Sequence, residues 1–149
     1  MDTSGDIHAL PYLLLALNGE LVAGIQAGTA ARGFDDIRPV HGYAFVRMSG
    51  NGATVSALAE YLGFTKQAAS QLVEELIGKG YVERLPHPRD ARARLIVLTE
   101  RGRACTRAAD AAAAETVRPW IDALGQDRFH ALVADLARLD PRGPIRPGW

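Results

Sequence analysis

The chain has 149 residues, of which 48% are hydrophobic and 23% charged, with 17 Lys and Arg against 17 Asp and Glu and a single cysteine. This is the composition of one soluble globular unit. It excludes a wholly disordered chain, and one cysteine excludes an internal disulfide scaffold. The uncharged run from Ile7 to Gly19 is short for a bilayer span and holds Pro11 and Asn18, and Asp2 and Asp6 precede it where a signal peptide would carry Lys or Arg. A reducing cytoplasm is the expected compartment.

Leu10, Leu13, Leu14, Leu17, Leu21 and Ile25 recur at helical spacing and predict a long amphipathic helix from about Pro11 to Arg32, with Pro11 in its first turn and Gly33 at its end. Asp35 or Asp36 is placed to cap a second helix, Arg38 to Met48, with Val40, Tyr43, Ala44 and Phe45 or Val46 facing inward. Ser49-Gly50-Asn51-Gly52 breaks it. Thr54 caps a short helix, Val55 to Leu62. Gly63-Phe64 makes a tight turn, and Thr65 caps another helix from Lys66 to about Ile77. Two short helices about a glycine-containing turn form a helix-turn-helix pattern.

The period then changes. Tyr81 to Leu85 and Ala93 to Leu98 read as strands, joined by the polar loop Pro86-His87-Pro88-Arg89-Asp90-Ala91-Arg92. Thr99 caps a long Ala-rich helix to about Leu124, which Pro119 should kink or interrupt, and Phe129, Leu132, Val133, Leu136 and Leu139 mark a last amphipathic helix. Asp140 to Trp149 reads as a loosely ordered tail. The expected fold is mainly α with a small β-hairpin wing: a winged helix-turn-helix lobe over 36–99, flanked by helical segments 10–33 and 100–139 that form a dimerisation region, and a flexible tail over 140–149.

Charge is unevenly spread. Residues 1–64 carry 3 basic and 6 acidic side chains, residues 65–103 carry 8 and 5, and residues 104–149 carry 6 and 6. A local positive patch matters more to a polyanion than the whole-chain sum. An exposed helix face fits the major groove, and Lys66, Gln67, Ser70 and Gln71 offer base-reading and phosphate-reading groups there. Thr65 sets a hydroxyl and free N–H groups at the helix N-terminus, where a phosphate would sit. Arg89 and Arg92 at the wing tip are spaced to reach a minor groove.

Leu58-Ala59, Lys79-Gly80-Tyr81-Val82, Asp90-Ala91-Arg92 and Leu98-Thr99-Glu100-Arg101-Gly102 lie together within residues 53–103. In this combination the segment resembles the winged helix-turn-helix core of the MarR family of bacterial transcriptional regulators. The resemblance implies a ligand-responsive repressor that binds a pseudo-palindromic operator on double-stranded DNA as a homodimer. It implies that Arg92 enters the minor groove, that Asp90 orients it, and that Arg94 lies near phosphate. The family often carries Arg directly after the Asp, and this chain has Ala91 there. That departure, with the neutral net charge, is the support for an alternative: a protein-interaction or anti-activator module of the same fold. A redox- or metal-triggered sensor is a further alternative.

Other signals carry less. Cys105 reads as a small buried residue rather than a redox centre. His8, His41, His87 and His130 show no metal-ligand spacing, so no metal or other cofactor is expected. No catalytic motif is present, and an enzyme is not expected. The resemblance implies a small aromatic or anionic effector between the helical region and the DNA-binding lobe. Tyr12, His41, Tyr43, Arg118 and Trp120 fall on elements that could line such a site; Tyr12, His41, Tyr43 and Trp120 are the candidates retained.

Overall fold

In a computed structural model, residues 3–139 and 145 are described. Six helices and a hairpin follow in the order α1 (Ser4–Ala31), α2 (Pro39–Met48), α3 (Val55–Leu62), α4 (Lys66–Gly78), β1 (Val82–Pro86), β2 (Arg94–Leu98), α5 (Glu100–Leu124) and α6 (Gln126–Arg138). This is the expected class, mainly helical with one antiparallel wing.

The helix-turn-helix is punctuated as its caps dictate. Thr54 and Thr65 are extended, and their hydroxyl oxygens accept from the backbone N–H of Ala57 and Ala68, both at 3.1 Å. Gly63 closes α3 in the left-handed region at φ 67°, a conformation cheap for glycine alone. Leu58 and Leu62 from α3 then meet Leu72, Val73 and Leu76 from α4, with Ala44, Phe45 and Met48 from α2 and Tyr81 and Ile96 from the wing base, in one core.

β1 and β2 pair with Val82 opposite Leu98 and Pro86 opposite Arg94. The hairpin is anchored on its other edge. Ala53 exchanges two backbone hydrogen bonds with Ile96, 3.0 and 2.8 Å, so the α2–α3 connection serves as a third, one-residue strand. Thr99 caps α5 through the Gly102 N–H and donates its own hydroxyl to the Gly80 carbonyl at 2.6 Å. At Gly102 a β-carbon would collide with the Tyr81 carbonyl oxygen. This glycine lets the start of α5 lie directly on the wing base.

Several expectations need correction. α1 starts at Ser4, so Pro11 lies inside it rather than in its first turn. Pro119 lies inside α5 as expected but does not interrupt it. A helical proline leaves the carbonyl four residues back without its donor. Those carbonyls belong to Ile7 and Glu115, both exposed residues. α2 is capped by neither Asp35 nor Asp36. Its N-cap is Arg38, whose backbone N–H donates to Nδ1 of His41 at 3.0 Å, while Asp36 is engaged elsewhere. In α2, Val46 faces outward, whereas His41 and Met48 are buried. The tail assigned to 140–149 lies outside the described residues except for Ile145, whose N–H donates to the Tyr61 carbonyl at 3.0 Å.

The second half of α1 packs along α5. Gly24 and Gly28 lie so close to Thr116 and Ala112 that a β-carbon at either would overlap those side chains. The first half carries Ile7, Leu10, Leu13, Leu14 and Leu17 exposed, and α6 has no buried residue, with Leu132, Val133, Leu136 and Leu139 exposed. α1 is long and apolar enough to cross a membrane by length and composition. Its packed half is nevertheless built into the domain.

Candidate nucleic-acid interface

The solvent face of α4 is set by its buried one. Ala69, Leu72, Val73 and Leu76 point into the core, so Lys66, Gln67, Ser70 and Gln71 are exposed on the opposite side. The Thr65 hydroxyl oxygen is occupied by the Ala68 N–H, which leaves its proton free to donate outward.

The wing tip is organised by two side chains acting on backbone. Nδ1 of His87 accepts from the N–H groups of Arg89 and Asp90, both at 3.1 Å. An Asp90 carboxylate oxygen accepts from the N–H of Arg92 at 2.9 Å. Asp90 therefore shapes the turn; among the described residues it makes no ion pair with the Arg92 guanidinium, and it presents Arg92 through the backbone. The role of His87 escaped the sequence reading, because a histidine between two prolines carries no distinctive spacing.

Six arginines lie between Arg84 and Arg103, and ion pairing sorts them. Arg84 is bonded to Glu74 of α4. Arg101 lies over the Tyr81 ring at 4.6 Å and pairs with Asp36. Arg103 pairs with Glu100 and donates to the Leu98 carbonyl at 2.8 Å. Arg89, Arg92 and Arg94 are exposed and make no side-chain hydrogen bond or ion pair within the described residues. Lys66 is equally unpaired, whereas Lys79 is held by Glu75 and by the Asp36 carbonyl. Elsewhere Arg47, Arg118 and Arg128 make no ion pair among the described residues; within residues 65–103 the cations left without one are those on α4's outer face and on the wing. Such a surface can neutralise phosphates along one side of a duplex while a helix occupies its groove.

Behind this surface, between α1, α2 and α5, lies an apolar cavity of about 200 Å³. Of the four effector-site candidates, Tyr43 lines it. Tyr12 is exposed on the free half of α1, and Trp120 approaches Glu20 at 3.5 Å far along α5. His41 is wholly buried between Arg38 and Glu75 and faces the helix-turn-helix instead. The four are not brought together. Thr29 and Cys105, both in the cavity lining, were not among the effector candidates. Burial, with the charge of Asp36 nearby, pushes the Cys105 thiol up to about 11, which keeps it protonated and a poor nucleophile.

Residues 36–93 match the model of the MarR family. No curated protein matches the chain by sequence. Among solved structures, a probable transcriptional regulator from Pseudomonas aeruginosa is similar at 28% identity and TM-score 0.67, covering 87% of this chain and 95% of that one. RV1404 from Mycobacterium tuberculosis is similar at 27% identity and TM-score 0.70, covering 93% of each. A mutant MarR from E. coli complexed with operator DNA superposes at TM-score 0.71 and 22% identity, over 95% of this chain and all (100%) of that one. The lobe that carries the unpaired cations thus matches the sequence pattern of the MarR family, and the chain is similar in fold, over nearly its whole length, to solved structures that include a probable transcriptional regulator.

Proposed function

We propose that the protein is a cytoplasmic, ligand-responsive repressor that binds a pseudo-palindromic operator as a homodimer. The observation that carries the DNA reading is the sorting of cations. Structural arginines are neutralised by Glu74, Glu100 and Asp36, while Lys66, Arg89, Arg92 and Arg94 are left for an external polyanion. Gln67, Ser70 and Gln71 read base edges, and Lys66 and Arg94 meet phosphate. Arg89 and Arg92 enter the flanking minor groove. That a mutant MarR from E. coli of similar fold is found complexed with operator DNA supports the DNA reading.

The exposed leucines of α1 and α6 support the dimer. An apolar surface of this extent is covered in a soluble protein, and two-fold pairing of these helices sets two α4 helices about 34 Å apart, one turn of DNA. The cavity between α1, α2 and α5 supports the ligand response. It lies between the helical scaffold and α2, whose Phe45 reaches both the cavity and the helix-turn-helix core. An occupant that favours one placement of the lobe shifts operator affinity by its differential binding.

Selection of bound duplexes from a random pool tests the proposal. The expected result is an inverted repeat with half-sites one helical turn apart. Recovery of no sequence above background overturns the DNA reading and favours the protein-interaction alternative.

A further inference from the structure

The lining of the α1–α2–α5 cavity restricts what it can hold. Its walls are mainly aliphatic and aromatic, and the charged residue among them is an acid, Asp110; among the described residues no Lys, Arg or His lines it. The end of α2 that borders it begins with Pro39, which has no N–H to offer an anion. A carboxylate moved into this space would lose its hydration, gain no cation, and lie near another carboxylate.

One polar group in the wall is left over. Thr29 is 3% exposed, and its Oγ1 has no hydrogen-bond partner among the described residues. A helical threonine ordinarily bonds the carbonyl four residues back, as Thr106 does to Gly102 at 3.1 Å and Thr116 to Ala112 at 2.8 Å. Thr29 does not, and a buried hydroxyl without a partner calls for an explanation. Gln26, also in the lining, spends its amide N–H on the Ile37 carbonyl.

Building on the reading of this cavity as the effector site, we propose that it takes an uncharged, mainly apolar ring compound bearing one hydroxyl or carbonyl, hydrogen-bonded by Thr29, and that it rejects carboxylates. Of the aromatic or anionic effector that the family resemblance implies, this keeps the ring and drops the charge. The size fits. An apolar cavity of about 150 Å³ holds benzene, so this larger one accommodates a fused bicyclic ring. The lining then divides the work as in other small-molecule sites, with apolar walls supplying affinity and a single polar group fixing orientation.

The test uses the full chain without DNA, by calorimetric titration and thermal unfolding, with matched probes: naphthol against naphthoate, and indole against indole carboxylate. The neutral member of each pair should bind at least about tenfold tighter and raise Tm, since only the anion meets an uncompensated desolvation cost. Thr29→Val, which keeps the shape and removes the hydroxyl, should weaken naphthol about three- to tenfold, the worth of one hydrogen bond. Ala109→Phe should fill the cavity and abolish binding of both neutral probes. Carboxylates binding as well as their neutral partners, no binding of either pair to the wild type, or an unchanged naphthol affinity in Thr29→Val would each overturn the proposal. Failure of the effector reading shows differently, as neutral probes that bind tightly but leave affinity for selected DNA unaltered.

Discussion

Tyr81, at the junction of α4 and β1, donates its hydroxyl proton to Asp36, in the connection between α1 and α2, at 2.5 Å. Arg101 of α5 donates to the same hydroxyl at 3.1 Å, and Lys79 bonds the Asp36 carbonyl at 2.6 Å. One buried phenol thus ties the wing base, the scaffold helix and the entry to the DNA-binding lobe together. The hydrogen bond from Tyr81 holds the Asp36 carboxyl below its ordinary value, and burial together with Asp36 pushes the Tyr81 phenol up. The signs follow by linkage. The lowered Asp36 contributes stability above the ordinary carboxylate range that is lost as pH falls through it. The raised Tyr81 contributes stability below about pH 10 that is lost as pH rises further.

Tyr81→Phe should therefore cost about 1.5–3 kcal/mol at neutral pH, the range for a hydrogen bond to a charged group. It should also flatten the loss of stability on both flanks. Urea unfolding at pH 4, 7 and 10 measures this. Equal losses at all three pH values would show that packing, and not the Asp36 bond, is what the hydroxyl supports.

His41 makes a second, opposite prediction. Its Nδ1 accepts the Arg38 N–H, and its Nε2 faces Glu75 at 3.4 Å. Burial pushes the imidazole below its ordinary value. The Glu75 carboxylate opposes that shift, while Arg38 and Lys79 reinforce it. Because the native state holds the proton less well than the unfolded one, stability is complete above about pH 6.5 and falls as pH drops below it. Protonated Nδ1 can no longer accept from Arg38, so the start of α2 loosens. His41→Gln should flatten the stability profile between pH 7 and 5. A wild-type profile already flat there would refute the assignment.

Two glycine-to-alanine substitutions should have opposite signs. At Gly102 a β-carbon would meet the Tyr81 carbonyl, which is backbone and cannot swing away. Gly102→Ala should cost about 1–3 kcal/mol, as overpacking does. At Gly78, the last residue of α4, nothing lies within 4 Å of the added carbon. Gly78→Ala should stabilise by about 0.4–1 kcal/mol through the unfolded chain. Thermal unfolding of both variants decides it, and a destabilised Gly78→Ala would contradict the open surroundings described here.

At the proposed DNA interface, Arg92→Ala should weaken binding to all duplexes by about 1–3 kcal/mol. Gln71→Ala should change preference at one base position, and Lys66→Ala should lower the salt slope by about one unit without changing preference. Competition binding with single-substituted duplexes separates the three. Identical behaviour of Gln71→Ala and Lys66→Ala would mean that α4 is rotated from the assumed docking.

The lobe was legible because local signals and tertiary contacts agree there. Thr54, Gly63, Thr65 and Thr99 cap or turn as their chemistry dictates, and the alternation in Leu95-Ile96-Val97-Leu98 buries Ile96 and Leu98. The misjudged points depend on partners distant in sequence. Asp36 had the right chemistry for a cap but bonds Tyr81, 45 residues away. Local rules count the missing bond, and so put Pro11 in a first turn and a kink or break at Pro119; both lie inside continuous helices. Thr29 gave no sign at all, since an unpartnered hydroxyl is visible only once three helices have closed around it.

The last prediction concerns the uncovered helices. Leu13 and Leu136 are 56% and 40% exposed, and each belongs to a stripe that no other part of the described chain covers. Two copies joined through both stripes should bury more than about 2,000 Å² in total, the scale of obligate pairs. In such a pair folding and association are one equilibrium, so Tm of the wild type should rise with protein concentration. Leu132→Glu with Leu136→Glu would set two carboxylates against an apolar partner face. The double variant should sediment as monomer or unfold at lower temperature, and it should lose the concentration dependence. It should also lose tight operator binding while keeping the α4 and wing residues intact, because one lobe reads too few base pairs to hold a site alone. A wild-type chain that sediments as a well-folded monomer at micromolar concentration in detergent-free buffer would remove the dimer, and with it the two-fold operator.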